Sequence, residues 1–475
     1  MSKYTAVIIG AGPAGHTTAV RISQLGGKVA VVERDYIGGI CTNWGCTPSK
    51  SMIESAKVAR GVKESEKYGI NVSNFLIDFK RVAARRDSVI YHTREEIIAL
   101  LKHHGIDIYY GEAMIDSPGK VRVKKGKLDI DGETMHYTSE DELVLETDHI
   151  VIATGSKPLI PGFIDEKDPS IVSSNRLITI DKLPEKLTIV GGGVIGLEFA
   201  TIFSNMGSQV TIVEFLDRVL AQMDPEISEE ITRQMEANGV RILTSHKVMS
   251  VKDGVLRAEN QKTREMVDIQ CNLTLVAIGR LAVVHEADYT RLGIEFTRRG
   301  VNVNDYMQTN VPGIWAVGDA TGKSILAHVG IQQGIVCAEN LMKLQQGKKD
   351  SFRKMDYDVI PAVIYTIPEV VGVGTVPEGL TGVAVYKVPF SANLRASIED
   401  YQDGFIKIWI KDYRVIAAQA IGHNVSEIMQ EFANMIALKT DVRDVAQIIH
   451  AHPTYSEISR TALEFALDQA IDYYA

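Results

Sequence analysis

The residues with the most evident chemistry are two cysteines, Cys41 and Cys46, which four residues separate. Gly38 and Gly39 lead into the pair, and Pro48 is well placed for the first turn of a helix that follows it. Cys46 would then lie at or just before a helix N-terminus, where the positive end of the helix dipole lowers a thiol pKa. Such a close pair can form a small disulfide that is readily exchanged.

Other interpretations of the pair compete with a redox role. A structural disulfide is disfavoured because four cysteines in 475 residues do not make a secretory disulfide framework. A zinc site would lack its second pair of ligands, so we expect no metal. The pair could also be two inert buried thiols, and this interpretation stays open. For Cys271 and Cys337, which stand singly in apolar segments, it is the interpretation that we favour.

The elements that must position this pair are indicated by two segments that repeat one another. Each reads as strand, Gly-x-Gly-x-x-Gly turn, helix, strand and acid, with the acid 18 residues after the last glycine. The glycines allow a tight turn, close approach to a pyrophosphate and close packing of helix on strand, while the acid accepts hydrogen bonds from a ribose. The helix N-terminus adds free N–H groups for the phosphates. The residues are Gly10, Gly12, Gly15 and Glu33 in the first copy and Gly191, Gly193, Gly196 and Glu214 in the second.

The remaining patterns complete an α/β chain with two Rossmann-like domains and a C-terminal α+β domain. Charged, turn-rich residues 116–147 predict a small antiparallel excursion at the edge of the first domain. Three apolar segments read as buried strands that return the chain to that domain, namely 148–152, 273–278 and 314–317. Beyond about residue 348, strand patterns at 359–373 and 405–420 precede helical patterns at 425–438 and 456–474.

Composition excludes several classes of protein. The net charge is −9 and no basic block is present, so neither a nucleic acid nor an anionic membrane is an expected partner. No apolar run reaches the ~18 residues of a membrane helix. An apolar strand begins already at Tyr4, which leaves no room for a cleavable signal, so we expect a cytoplasmic protein.

These motifs together resemble the flavin-dependent pyridine nucleotide–disulfide oxidoreductases, over essentially the whole chain. Besides the glycine turns and the cysteine segment, the resemblance is carried by Ala153-Thr154-Gly155, Gly318-Asp319-Ala320, residues 390–396 and residues 450–457. It implies FAD in the first dinucleotide domain, NAD in the second and a homodimer. The implied division is 1–147 for the first part of the FAD-binding domain, 148–279 for the NAD-binding domain, 280–348 for the return to the FAD-binding domain and 349–475 for the dimerisation domain.

The resemblance also implies roles for single residues. Cys41 and Cys46 would form the redox-active disulfide, and Lys50 would lie near the flavin, paired with Glu198. Asp319 would bind the ribityl chain. The remaining cofactor contacts implied are Gly155 and Ala327 for FAD and Gly279 for NAD.

A histidine before a proline, His452, is the expected proton acceptor. A residue before proline is pushed out of helical geometry, so His452 should lie on a stiff loop. Glu457 is five residues on and could hold one imidazole nitrogen while the other faces a substrate, which suits a base near neutral pH. The resemblance implies that this histidine reaches the disulfide of the other subunit.

The choice of nicotinamide cofactor depends on Glu214. A carboxylate at this strand end binds ribose hydroxyls and repels a 2′-phosphate, whereas an NADP site would want a nearby arginine or lysine. The next basic residue, Arg218, is four positions on. We therefore expect NAD, although the sequence does not exclude use of NADP.

Within the family, the chain is most similar to the members that oxidise dihydrolipoamide to lipoamide with NAD⁺. This implies a lipoylated carrier protein of a 2-oxoacid dehydrogenase, glycine-cleavage or other lipoate system as partner. A related reductase with another dithiol substrate, or a flavin-binding scaffold subunit, is the alternative. Departures from the family pattern at Ile40, Trp44 and Thr47 keep the dithiol open, because Trp44 could narrow the approach to the disulfide.

Overall fold

The computed structural model describes residues 3–128, 135–377 and 379–474. Its first part begins with an almost wholly buried apolar strand, as expected for the centre of a parallel sheet. The elements in chain order are β1 (Tyr4–Ile9), α1 (Pro13–Gln24), β2 (Val29–Glu33), α2 (Gly39–Asn43), α3 (Cys46–Lys63), α4 (Phe79–His103), β3 (Asp107–Ser117), β4 (Lys120–Leu128) and β5 (Met135–Ile152).

The first sheet has a parallel core, in which β1 lies between β2 and β5 and β3 flanks β2. The outer part of β3 pairs with β4, and β4 with β5, in antiparallel fashion, which is the excursion predicted for 116–147. The last residues of β5 pair with β1 up to Ile9 opposite Ile152. The predicted boundary at 148 therefore falls inside a strand of the first sheet, and we propose that the domain boundary follows Ile152.

The second part repeats the strand–helix–strand unit of the first. Its elements are β6 (Ser156–Pro158), β7 (Ile171–Val172), α5 (Ser174–Leu177), β8 (Lys186–Val190), α6 (Val194–Met206), β9 (Gln209–Val213), α7 (Pro225–Ala237), β10 (Arg241–Leu243), β11 (His246–Lys252), β12 (Val255–Asn260), β13 (Met266–Gln270) and β14 (Leu273–Val276). Strands β7, β14, β8, β9 and β10 form a parallel sheet in that order, and β11–β13 form an antiparallel one.

One sequence prediction is wrong here. The apolar pattern of residues 273–278 predicts a return to the first domain, but β14 lies in the second sheet between β7 and β8, inside the range 148–279 that the resemblance implies for the NAD-binding domain. A short apolar run shows that a strand is buried, and not which of two similar sheets it joins, because that choice depends on pairing with distant residues.

The chain then returns to the first sheet, as predicted for 314–317. The elements are β15 (Arg280–Ala282), α8 (Glu286–Leu292), β16 (Phe296–Thr297), β17 (Gly300–Val301), β18 (Ile314–Ala316) and α9 (Ala327–Gln345). Strand β18 pairs in parallel with β5, and α9 packs on α1. The carboxyl ends of β1, β5 and β18 thus meet at one edge, which is where ligands bind in open α/β sheets.

The last part is an α+β unit around one antiparallel sheet. Its elements are β19 (Ala362–Ile364), β20 (Glu369–Gly374), β21 (Ala384–Pro389), α10 (Leu394–Ile398), β22 (Phe405–Lys411), β23 (Arg414–Gly422), α11 (Val425–Leu438), α12 (Val442–Val445) and α13 (Glu457–Ala466). The strand order is β19, β20, β23, β22 and β21, with α11 packed on β20 and β23. The final helix ends at Ala466 rather than near residue 474, and Asp468 beyond it has a left-handed φ of +56°.

The three parts of the predicted fold class are confirmed: two parallel sheets of dinucleotide-binding type and a C-terminal α+β unit. A partly buried ion-pair group attaches the second part to the third, since Lys407 Nζ on β22 lies 2.9 Å from Asp224 Oδ2 and 2.6 Å from Glu226 Oε2. In the stretches of chain that the structure describes, no helix is both long enough and apolar enough to span a bilayer.

Candidate active site

The two cysteines lie on consecutive short elements joined by a glycine. Cys41 is in α2, Gly45 is the N-cap of α3 and Cys46 is its first residue, with Pro48 in the first turn. Both cysteines are free thiols here, and each side chain shifts the pKa of the other. The expected placement of Cys46 at a helix N-terminus is therefore observed.

The environment gives the two thiols different acidities. A hydrogen bond from Cys41 lowers the pKa of Cys46, and the positive charge of Lys50 lowers it further. The same hydrogen bond, together with burial, raises the pKa of Cys41. Cys46 is thus the group that ionises first, while Cys41 keeps its proton, and a thiolate is the reactive form of cysteine.

Lys50 stands one turn into α3 and meets Glu198, a buried residue of α6. Its Nζ donates hydrogen bonds of 3.0 Å to Oε1 and 2.8 Å to Oε2 of this carboxylate. Glu198 also accepts a hydrogen bond of 3.1 Å from the Tyr365 backbone N–H, and the Lys50 ammonium lies 4.5 Å from the centre of the Tyr365 ring. The expected Lys50–Glu198 contact is present and places a fixed positive charge near Cys46.

The glycines of the two fingerprint turns have matching geometry. Gly10 and Gly191 begin the turns with φ of +104° and +110°, a region that favours glycine. A Cβ on Gly15 would lie 2.0 Å from the Gly10 carbonyl oxygen, and one on Gly196 would lie 2.0 Å from that of Gly191. Only glycine therefore allows each helix to pack this closely on its turn.

The middle glycine of each fingerprint faces open space. Apart from the adjoining residues of the chain, no heavy atom of the described residues lies within 4 Å of the place where a Cβ on Gly193 would be, and for Gly12 the nearest is the Gly39 Cα at 3.9 Å. These cradles, each at the N-terminus of a helix of 12 or 13 residues, fit a pyrophosphate. Their position at the carboxyl ends of parallel strands suits two dinucleotides.

Glu33 ends β2 and reaches back to the first turn. Its carboxylate accepts hydrogen bonds of 2.6 Å from the Ala11 N–H and 2.8 Å from the Asp35 N–H. Burial raises the pKa of Glu33 to about 7, with the negative charge of Asp35 adding to the effect. Glu33, the residue expected to bind the ribose of the first dinucleotide, therefore lies at the first glycine turn and is largely shielded from water.

Glu214 occupies the equivalent place in the second turn but is only half-buried. It accepts hydrogen bonds of 2.5 Å from the Gly192 N–H and 2.7 Å from the Leu216 N–H. Arg218 donates instead to the Ala221 carbonyl at 2.9 Å. The carboxylate, and not the arginine, is therefore presented at the end of β9.

Asp319 follows β18 at the edge where the first dinucleotide would lie. Ser156 Oγ donates a hydrogen bond of 2.5 Å to its carboxylate, and burial raises the pKa of Asp319. Arg280 completes this group, because its guanidinium donates to Ser156 Oγ at 2.8 Å and to the Ser156 carbonyl at 2.9 Å. The sequence analysis predicts a role for Asp319 but not the hydrogen bonds that connect it through Ser156 to Arg280. The only sequence feature that could have indicated Arg280 is its position directly after Gly279.

The other expected cofactor contacts lie at turns of the same edges. Gly155 and Gly279 have φ of +72° and +138°, and Ala327 is the first residue of α9. Trp44 is the departure from the family pattern that could narrow the approach to the cysteines. Its ring is buried in the core, 5.9 Å from that of Tyr36, since a large apolar side chain gains most by leaving water.

His452 lies on the loop before α13, outside any helix as predicted. Its Nδ1 is 2.9 Å from Glu457 Oε1, and Glu457 Oε2 accepts a hydrogen bond of 2.8 Å from the Thr454 N–H. The rest of the imidazole is free to act, because the side chain is 63% exposed. Asn393, which sequence reasoning did not single out, supports the loop by donating to the Thr454 carbonyl at 3.1 Å.

The expected residues thus form two groups within this chain. Cys41, Cys46, Lys50 and Glu198 lie together beside the first dinucleotide cradle, and His452 with Glu457 forms an exposed pair on the C-terminal unit. A thiol pair of unequal acidity beside one of two dinucleotide cradles defines a disulfide oxidoreductase that works with two dinucleotide cofactors.

Comparison with known proteins agrees with this class. Residues 4–334 match the family of pyridine nucleotide-disulphide oxidoreductases, and residues 360–463 match the dimerisation domain of the same proteins. The chain belongs to the pyridine nucleotide–disulphide oxidoreductase family. FAD and NAD, the cofactors predicted from the sequence, are those of this family, and the residues of the two cradles fit them.

Individual relatives are similar along nearly the whole chain. A dihydrolipoyl dehydrogenase of Chlamydia pneumoniae is 33% identical over 472 residues, covering 96% of this chain and 95% of the relative. The mitochondrial dihydrolipoyl dehydrogenase 1 of Arabidopsis thaliana is 34% identical, covering 98% and 90%. Among solved structures, the Cu(II) complex of the HOCl-induced flavoprotein disulfide reductase RclA from Escherichia coli superposes with a TM-score of 0.84 at 25% identity, covering 98% and 100%.

Proposed function

We propose that this protein oxidises protein-bound dihydrolipoyl groups to lipoyl groups with NAD⁺, through a reversible Cys41–Cys46 disulfide. The observation that carries the proposal is the contact between the cysteine loop and the first cradle. A Cβ on Gly39 would lie 2.7 Å from the Gly12 Cα, and the Gly38 N–H donates to the Ala11 carbonyl at 3.0 Å. A thiol pair anchored in this way can exchange electrons with a flavin bound there.

The proposed thiol chemistry begins with the disulfide form. A substrate thiol loses its proton to His452 and attacks the Cys41 sulfur, which breaks the Cys41–Cys46 bond and releases Cys46 as a thiolate. The second substrate thiol then attacks the substrate sulfur of the mixed disulfide and gives its proton to the leaving Cys41 sulfur, which yields the cyclic disulfide product and releases Cys41 as a thiol. The substrate has lost two electrons and two protons, and the two enzyme sulfurs hold the electron pair.

The surrounding residues support each part of this cycle. Lys50 stabilises the Cys46 thiolate by its charge, and Glu198 holds Lys50 in place. Glu457 keeps the His452 ring oriented with Nε2 outward. Bound FAD supplies the two-electron acceptor between the thiol pair and NAD⁺. Glu33 and Asp319 would hold the FAD, and Glu214 the NAD⁺.

We further propose that the active site is completed by a second copy of the chain. His452 and Cys41 belong to separate groups, and His452 is exposed on the unit that matches a dimerisation domain. In the homodimer, His452 of the partner subunit would serve the disulfide of the first. We place the reaction in the cytoplasm, which the two buried free thiols, Cys271 and Cys337, support.

The comparisons with known proteins support two different kinds of substrate. Identity of 33% or 34% to dihydrolipoyl dehydrogenases favours a lipoyl dithiol on a carrier protein. The likeness to a disulfide reductase of a different name favours another dithiol or disulfide on the same scaffold. The geometry of the thiol pair serves both.

The test follows NADH formation anaerobically after mixing the FAD-loaded protein with NAD⁺ and dihydrolipoamide, then with lipoylated carrier proteins. We expect rapid NADH formation that Cys46→Ser abolishes, by roughly 10³-fold or more, while FAD stays bound. Cys271→Ser is the matched control, because this cysteine bonds to the Gly254 carbonyl and Thr274 Oγ1, away from the thiol pair. Absence of NADH from the wild type with FAD bound would overturn the dihydrolipoyl substrate, and full activity of Cys46→Ser would overturn the thiol mechanism.

A further inference from the structure

One side chain between the two cysteines is buried and fully hydrogen-bonded. Asn43 is the last residue of α2 and is 3% exposed. Its amide group donates to the Ile37 carbonyl at 3.1 Å and to the Gly39 carbonyl at 2.8 Å. The carboxamide therefore closes the turn that leads into Cys41, the same turn that packs on the first cradle.

The oxygen of the same carboxamide is held by an arginine 51 positions away. Arg94 on α4 donates from Nε at 3.0 Å and from Nη2 at 2.7 Å to Asn43 Oδ1. Its guanidinium lies 4.1 Å from the centre of the Tyr36 ring, at the start of the same turn. A planar guanidinium can donate two N–H groups to one oxygen while its flat face stacks on an aromatic ring, a fixed geometry that a lysine ammonium lacks.

These bonds continue into the first dinucleotide cradle. The Gly38 N–H donates to the Ala11 carbonyl, and Gly39 packs closely on Gly12. A continuous set of contacts therefore runs from Arg94 through Asn43 to the turn at Gly38 and Gly39, and from there to the cradle.

We propose that Asn43 and Arg94 are positioning residues that hold α2 in the conformation in which Cys41 meets Cys46, and so favour closure of the disulfide. The inference rests on the proposed thiol function and adds two residues to it. Both act through the backbone of α2, because their hydrogen bonds go to that turn and to each other rather than to the sulfurs.

The physical reason is the entropy of closing the bond. Two thiols held at bonding distance by a fixed loop close with little loss of freedom, whereas a loop that samples many conformations must be ordered first. Breaking the clamp therefore lowers the equilibrium constant for forming the Cys41–Cys46 disulfide. It does so without changing either sulfur or the charge of Lys50.

The test measures that equilibrium constant in the FAD-loaded protein. The protein is equilibrated with mixtures of reduced and oxidised dithiothreitol, free thiols are alkylated, and the state of Cys41 and Cys46 is read by mass spectrometry. We expect Asn43→Ala to lower the constant about tenfold, which is about 30 mV in reduction potential for a two-electron couple. Arg94→Gln should lower it several-fold and Arg94→Lys less, because lysine can still make one bond.

Two comparisons separate positioning from general damage. Arg81→Gln, at an exposed position of the same helix, should leave the constant within about twofold of the wild type. Asn43→Asp keeps the acceptor for Arg94 but sets a carboxylate against the Ile37 and Gly39 carbonyls, so it should weaken closure as well. Thermal unfolding and FAD content of each variant show that the fold is retained.

The outcomes distinguish this inference from the proposed function. If the wild-type pair closes and both Arg94→Gln and Asn43→Ala close equally well, the positioning role is overturned while the proposed function stands. If the wild-type cysteines form no disulfide in any mixture, the proposed function fails and the inference fails with it. Weaker closure in both variants, with FAD retained and the Arg81→Gln control unchanged, supports it.

Discussion

The two glycine turns of this chain share their backbone and differ in what surrounds them. In both turns, the first glycine has a positive φ and the third glycine packs against its carbonyl oxygen. An acid 18 residues after the third glycine reaches back to the turn. At the first turn, the glycines of the cysteine loop pack on Gly12, and Glu33 is buried. At the second turn, Val219 and Leu220 pack on Gly192 instead, and Glu214 is half-buried.

This difference teaches how one motif can serve two kinds of cofactor. A cradle packed against the thiol loop, with its acid shielded from water, suits a cofactor that stays bound and works beside the sulfurs. A cradle whose acid is half-buried and is followed by the exposed residues Phe215 and Leu216 suits a cofactor that enters and leaves. The two turns therefore differ in the residues around the glycines rather than in the glycines themselves.

We expect the largest effect on cofactor binding from substitution of the third glycine of each turn. Gly15→Ala and Gly196→Ala each place a methyl group 2.0 Å from a carbonyl oxygen, so the helix must move away from its turn, at a cost of about 3 kcal/mol or more. We expect Gly15→Ala to lose FAD and Gly196→Ala to keep FAD but lose reduction of NAD⁺. The measurements are the flavin-to-protein ratio, thermal unfolding and NADH formation.

A matched control is Gly61→Ala on α3, where an added methyl group meets no atom of the described residues within 4 Å. It should retain both FAD and activity. The distinction between the turns would be broken if Gly15→Ala and Gly196→Ala lost the same cofactor.

A second, intermediate effect is expected at the acids. Glu214→Gln removes the charge that repels a 2′-phosphate, so the preference for NAD⁺ over NADP⁺ in kcat/KM should fall about 10- to 100-fold, or about 1.4 to 2.7 kcal/mol. Glu33→Gln, the equivalent change in the other turn, should leave that ratio unchanged. Steady-state kinetics with both nucleotides measures it, and an equal change in the two variants would contradict the assignment.

The third expected effect is a pH dependence that arises from the buried acid of the first turn, Glu33. In FAD-depleted protein the pKa of Glu33 is raised to about 7, whereas in the unfolded chain it returns to about 4.3. Between these values the folded state holds one more proton, so the free energy of unfolding should fall as pH rises, by at most about 1.4 kcal/mol per pH unit. This stability is fully present below about pH 4.3 and is lost as pH rises through about 7.

Denaturant unfolding of FAD-depleted wild type and Glu33→Gln at about pH 5, 6, 7 and 8 would measure this slope. Their difference in unfolding free energy should change with pH in that window and level off above it. Parallel curves would show that Glu33 is hydrated in the folded protein, and that the two turns do not differ in burial.

Local spacing made much of the fold and site predictable. The two fingerprints, the helix that begins at Cys46 and the Lys50–Glu198 contact implied by resemblance are all observed. The placement of residues 273–278 in the wrong sheet depended on which distant residues a buried segment packs against, and apolar pattern alone does not carry that information.

What the sequence by itself determined is the local chemistry: two phosphate cradles, a close thiol pair at a helix start, and a histidine with its carboxylate five residues on. Tertiary structure decided which groups those elements meet. Arg94 reaches Asn43 across 51 residues, and Arg280 reaches Asp319 through Ser156. The physical reason is that glycine turns and helix starts depend on neighbouring residues, whereas a buried hydrogen bond between remote side chains exists only after the sheets and helices have packed.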